Sequence, residues 1–194
     1  MLFSKRTLTT KELVTDLGEL ARNAPSLIAA FRSNRVGSAF SERLMLTVTS
    51  VLQCRYCNWM HSDLAAHFGV AGEDIAALLQ GNLQRMDKEE LPALQFAIHF
   101  AESGGRYSAT ELAQLRAHYD SAKVRDILLL IQFVYFTNKL GNTFDAGLAR
   151  LQGQASAKPN LLVELPVLLC MTPLYSAVSY FTKKGRNPFV TLEG

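Results

Sequence analysis

The chain has 194 residues, 48% of them hydrophobic, which is enough to bury a real core in one domain. Twenty Lys and Arg against 17 Asp and Glu leave a net charge of +3. The basic residues are interspersed with acidic ones, so nucleic-acid binding has little support. Aromatic and long aliphatic residues run along the whole chain and argue against extensive disorder.

Thr9 and Glu12 have capping-box spacing and predict a helix to about Asn23. Pro25 suits the first turn of a short helix through Phe31, and Gly37 marks the next break. Ser41 is expected to cap a helix from Glu42 to about Leu52. The β-branched Thr47, Val48, Thr49 and Val51 weaken that helix, but nothing nearby could pair with a strand there. A helix is expected over Cys57–Phe68, stopping at Gly69, and a short one over Glu73–Leu79. Asp87 with Glu90, and Ser108 with Glu111, repeat the capping-box spacing. They open helices that end before Gly104 and at about His118. Ser121 precedes an apolar helix, Val124–Leu140, expected to end near Gly141, with a further helical stretch over Asp145–Leu151. Its centre, Ile127–Phe136, is apolar almost all round, as in a helix buried on every side or at a subunit interface. Strand signals are nearly absent, so the predicted class is all-α.

Ala155–Asn160 reads as a linker. It divides a helical domain, 1–153, from an extension, 154–194, that packs on the core or on a neighbouring subunit. Leu161–Phe181 is strongly apolar, but Glu164, Pro166 and Pro173 interrupt it and no membrane span is expected. Met1–Lys11 lacks the apolar core of a signal peptide, and a cytoplasmic location is the expectation.

The chemistry concentrates in Cys54-Arg55-Tyr56-Cys57-Asn58-Trp59-Met60-His61. Cys54 and Cys57 are three apart and Cys57 and His61 four apart, so all three can share one helical face. A kink at Gln53-Cys54 would put both thiols in a first helical turn, where free N–H groups and the dipole favour thiolate. His61 could take a thiol proton, and Glu42 could orient the imidazole. A zinc set of Glu42, the two cysteines and His61 is an alternative in ligand type. Arg55 is expected to point to solvent, and Tyr56 and Trp59 to serve packing. Cys170, among Leu168, Leu169 and Met171, is expected to be a buried inert thiol. His67 is expected on the outer face, and His99 and His118 show no partner.

Glu42 followed by Cys54-x-x-Cys57-x-x-x-His61 resembles the AhpD-like alkylhydroperoxidases of the carboxymuconolactone decarboxylase superfamily. The likeness runs from about Ala24 to Leu151, through Ala24-Pro25-Ser26-Leu27, Leu94-Gln95-Phe96-Ala97 and Phe136-Thr137-Asn138-Lys139-Leu140. It implies an AhpD-like helical bundle assembled as a trimer or hexamer. It also implies an antioxidant peroxidase or disulfide oxidoreductase acting on organic hydroperoxides. Cys57 would be the peroxidatic thiol, Cys54 the resolving thiol, and Glu42 with His61 the proton relay. A dithiol or lipoyl-type protein would be the reductant, with no cofactor or metal. Tyr56 stands where AhpD proper has a second histidine, a form found in the wider family. Lactone decarboxylation on the same fold and a metal-binding or redox-sensing oligomer are the alternatives.

Overall fold

In a computed structural model the description covers residues 5–153 and 160–181, with side chains up to Pro173. Most of the expected linker, 155–159, lies outside it. The described residues form helices and no strand: α1 (Thr10–Ser33), α2 (Ser38–Leu52), α3 (Arg55–His67), α4 (Gly72–Leu79), α5 (Leu91–Glu102), α6 (Ala109–His118), α7 (Ser121–Leu151) and α8 (Leu161–Phe181). The all-α expectation holds among these residues. None of their helices is long and apolar enough to cross a membrane.

α2 is the hub, packed against α3, α4, α5 and α7. Leu44, Leu46 and Val48 are fully buried, and with Leu94, Ile127 and Ile131 they form the centre of the main core. The β-branched run of α2 stays helical because its threonines satisfy themselves within the helix. Thr47 and Thr49 donate their hydroxyls to the carbonyls four residues back, Arg43 at 2.7 Å and Met45 at 2.8 Å. The helix starts earlier than expected. Gly37, at φ +83°, is the N-cap, and the Ser41 hydroxyl lies inside the helix, donating to the Gly37 carbonyl at 2.9 Å.

The capping boxes at Thr9/Glu12 and Ser108/Glu111 form as expected. The one at Asp87/Glu90 does not. Glu90 is itself the N-cap of α5, and its carboxylate is taken by a bidentate pair with Arg43, at 2.6 and 2.7 Å. A tertiary ion pair between α2 and α5 replaces the local cap.

Two expected breaks are absent. α1 runs straight through Pro25, and α7 runs through Gly141. An interior proline costs about 3 kcal/mol and an interior glycine about 1. Packing beyond each residue offsets the cost. Leu27 and Ala30 are buried beyond Pro25, while Asn142, Thr143 and Phe144 are buried beyond Gly141. Asp120, rather than Ser121, caps α7 by accepting from the N–H groups of Ala122 and Lys123. The apolar centre of α7 is not buried all round, since Leu128, Leu129 and Phe133 are half-buried and Gln132 is exposed.

α8 lies along the C-terminal half of α7 and touches α1. Its buried carboxylate, Glu164, meets Arg150 at 2.7 and 3.0 Å. Cys170 is exposed, contrary to the expectation of a buried thiol. The apolar residues beside it in sequence lie on more than one face, and Leu169 also points outward. Close contact between α7 and α8 depends on Gly147, where a Cβ would lie 2.8 Å from Leu168 Cδ1 and 3.0 Å from its Cγ. Gly147→Val should therefore destabilise the protein by about 1–3 kcal/mol through overpacking. Adding Leu168→Ala should recover part of that loss, and denaturant titration of the wild type and the two variants measures both effects.

Candidate functional site

α2 ends at Gln53, which adopts a left-handed conformation at φ +56°, and α3 starts two residues later. Cys54 is the N-cap of α3. Its backbone is extended, at φ −74° and ψ 111°, and its sulfur accepts the Cys57 N–H at 3.3 Å. The kink raised as a condition at Gln53-Cys54 is therefore present. It gives the Cys54 sulfur the place usually held by a serine or aspartate oxygen, facing the free N–H groups of a first turn. Both thiols are free and buried, Cys54 completely and Cys57 to 4% exposure.

The two sulfurs are not equivalent. Burial pushes the Cys54 thiol up. Hydrogen bonds from the Cys57 thiol and from the N–H groups of Cys57 and Tyr56, with the Lys5 charge, bring it below its ordinary value. The same sulfur–sulfur hydrogen bond, burial and the negative charge on Cys54 push the Cys57 thiol well above its ordinary value. These shifts favour the proton on Cys57 and the negative charge on Cys54. Cys57 Sγ also lies 3.8 Å from the carbonyl of Thr137 on α7, to which it can donate.

Glu42 and His61 meet in the interior. The carboxylate comes from the first half of α2 and the imidazole from α3, one turn beyond Cys57. Nδ1 of His61 lies 2.8 Å from Glu42 Oε2, and both side chains are buried. A carboxylate accepts, so this nitrogen donates and Nε2 is the basic one. Nε2 is buried and has no hydrogen-bond partner. The structure thus joins Glu42 to His61 and Cys54 to Cys57, and the i, i+4 relation of Cys57 and His61 sets the two pairs on one face of α3.

Arg55 does not point to solvent. Its guanidinium stacks over the Tyr56 ring at 4.9 Å, donates to the Tyr56 hydroxyl at 2.7 Å and pairs with Asp145 at 2.5 Å. Lys5 pairs with the same aspartate at 3.0 Å. Tyr56 packs edge-on against Phe144 at 5.5 Å, and burial is the chief reason its hydroxyl is pushed up to about 12. Trp59 is half-buried, and His67, His99 and His118 are exposed. Leu8, Phe136, Phe144, Val163 and Val167 complete the apolar cluster that contains the thiols. A cleft of about 180 Å³ between α1 and α7 shares Leu20 and Phe136 with this cluster but is not lined by either cysteine, Glu42 or His61.

Asn138 and Asn142 were not among the expected site residues. Asn142 Nδ2 donates to the Leu52 carbonyl at 2.8 Å and to the Arg6 carbonyl at 3.2 Å. Asn138 donates to Thr49 Oγ1 at 3.2 Å. They tie α7 to the end of α2 that leads into Cys54. Two asparagines one turn apart, directly after the apolar run Ile127–Phe136, are the sequence signal that could have found them. Among the described residues no group of three or more His, Cys, Asp or Glu side chains is placed to hold a metal ion, so the alternative zinc set is not gathered.

No family model, curated protein or solved structure matches this chain.

The coupled thiols predict a split titration. In a Cys170→Ser background, thiolate absorbance should rise in one step below the ordinary cysteine range and a second well above it. Cys57→Ala should move the first step upward, because it removes the thiol that donates to Cys54. Two coincident steps near the ordinary value would contradict the arrangement.

Proposed function

We propose that the protein is a thiol-dependent peroxidase or disulfide oxidoreductase that reduces organic hydroperoxides through Cys54 and Cys57. The observation that carries this reading is the pairing of a buried His61–Glu42 couple, with Nε2 free, one helical turn from the buried Cys54 and Cys57 sulfurs. The likeness of the Glu42, Cys54, Cys57 and His61 spacing to the AhpD-like peroxidases supports it, as does the apolar surround of the sulfurs.

A thiol held protonated needs a base before it can attack. Cys57 passes its proton to His61 Nε2, and Glu42 stabilises the imidazolium through Nδ1. The Cys57 thiolate attacks one peroxide oxygen, so that an S–O bond forms and the O–O bond breaks. The leaving alkoxide takes the proton from His61 and departs as the alcohol. The Cys54 thiolate then attacks the sulfenic sulfur of Cys57. An S–S bond forms, and the hydroxyl leaves as water with one proton from solvent. A dithiol or lipoyl-type protein returns two electrons and two protons to the disulfide, and Cys54 releases one of those protons to solvent. In this scheme the lowered thiolate is the resolving sulfur and the base serves the other one.

The test is a small dose of organic hydroperoxide followed by intact-mass analysis. A Cys54–Cys57 disulfide should form in step with peroxide loss, and Cys57→Ser should abolish both. Glu42→Gln and His61→Asn should each slow the reaction about 10²–10⁴-fold, the range for loss of a positioned proton carrier. Full peroxide consumption by Cys57→Ser would refute the proposal.

A further inference from the structure

α1 carries two apolar seams. Leu13, Leu20, Leu27 and Ala30 face the protein's own core, chiefly α7. One residue further on, Val14, Leu17, Ala21, Ala24, Ile28 and Phe31 repeat at spacings of three and four along the whole helix. This second seam is largely exposed among the described residues, although the Phe31 ring packs edge-on against Phe133 of α7 at 5.8 Å. Val14 is 68% exposed, Leu17 47%, Ile28 51% and Phe31 49%. A strict three-four repeat is the pattern of a helix that meets another helix, and two adjacent repeats fit a helix with two neighbours. Among the described residues of one copy α1 meets α7 and, near its start, α8, and these contacts leave Val14, Leu17 and Ile28 exposed.

We propose that the second seam is a self-docking surface, on which α1 of a second copy lies antiparallel and crosses at Ala21 and Ala24. The order of side-chain sizes points to a second copy. Reading from either end gives two large residues, two alanines and two large residues. A two-fold contact requires this kind of self-match. Val14 would face Phe31 of the partner subunit, Leu17 would face Ile28 of the partner subunit, and the alanines would meet at the centre, where small side chains let the helices approach closely. The seam runs about 25 Å at 1.5 Å per residue and carries no charged residue. In this register the exposed, flanking Lys11 comes beside Arg32 of the partner subunit, a like-charge contact that occurs twice in the pair.

That contact makes the register testable by a gain as well as a loss. Sedimentation of the full chain at about 0.1 mM, which still reveals a weak self-contact, should show an even-numbered assembly. Leu17→Glu or Ile28→Glu should halve its mass without lowering the thermal midpoint of the fold, since both sites are exposed. Lys11→Glu and Arg32→Glu should each tighten association about three- to tenfold by turning repulsion into two surface ion pairs. The double variant should lose that gain. A monomeric or odd-numbered wild type, an assembly indifferent to the seam substitutions, or charge variants without this reversal would overturn the proposal.

Discussion

The left-handed turn at Gln53 is the constraint on which the rest of the structure depends. It ends α2 and lets α3 begin at once, so that Cys54 becomes an N-cap instead of an interior helical residue. An unbroken helix would commit the Cys54 N–H and C=O to the ladder and leave its sulfur no free N–H to meet. With the break, the sulfur receives the Cys57 N–H, and α3 leaves at an angle that brings His61 back against Glu42. The junction is held from outside. Asn142 donates to the Leu52 carbonyl, one of those that a helix end leaves without an intrahelical partner.

The electrostatics follow from this geometry. Two thiols in one dry cluster cannot both ionise cheaply, because each negative charge raises the cost of the other. The N-cap position decides which one carries the charge. Cys54 has the N–H groups of Tyr56 and Cys57 and the field of Lys5, while Cys57 has a carbonyl at its sulfur. The inequality of the two sulfurs is therefore a property of the helix start, and it would persist on exchange of many neighbouring side chains.

Much of this was legible in the sequence, for reasons that differ by element. The capping boxes at Thr9 and Ser108 are local devices, complete within four residues, and they form as read. The kink at Gln53-Cys54 was legible only as a condition, since the spacing of the thiols and the imidazole fits an unbroken helix equally well. Where tertiary partners compete, local signals fail. Glu90 has capping-box spacing with Asp87, yet Arg43 on another helix takes its carboxylate. Pro25 and Gly141 are strong breakers in isolation, yet each lies in a helix pinned by packing beyond it. The outward side of Cys170 and the inward fold of Arg55 depend on how whole helices are rotated, which neighbours in sequence do not reveal. The pairing of Glu42 with His61 was accessible only through a resemblance, since 19 positions separate them and the intervening turn sets their meeting.

Tyr56 links the thiol site to the rest of the molecule. Its ring packs on Phe144 of α7, its hydroxyl takes the Arg55 guanidinium, and that guanidinium pairs with Asp145, which also holds Lys5. Lys5 in turn is one of the charges that favour thiolate at Cys54. A residue between the two cysteines thus secures the first turn of α3 by packing, while its neighbour Arg55 holds the aspartate that positions a cation for the thiolate. A histidine at this position would bring a titratable group next to the sulfurs. A tyrosine whose hydroxyl is pushed up to about 12 stays neutral near neutral pH, which leaves His61 as the proton carrier in the proposed reaction.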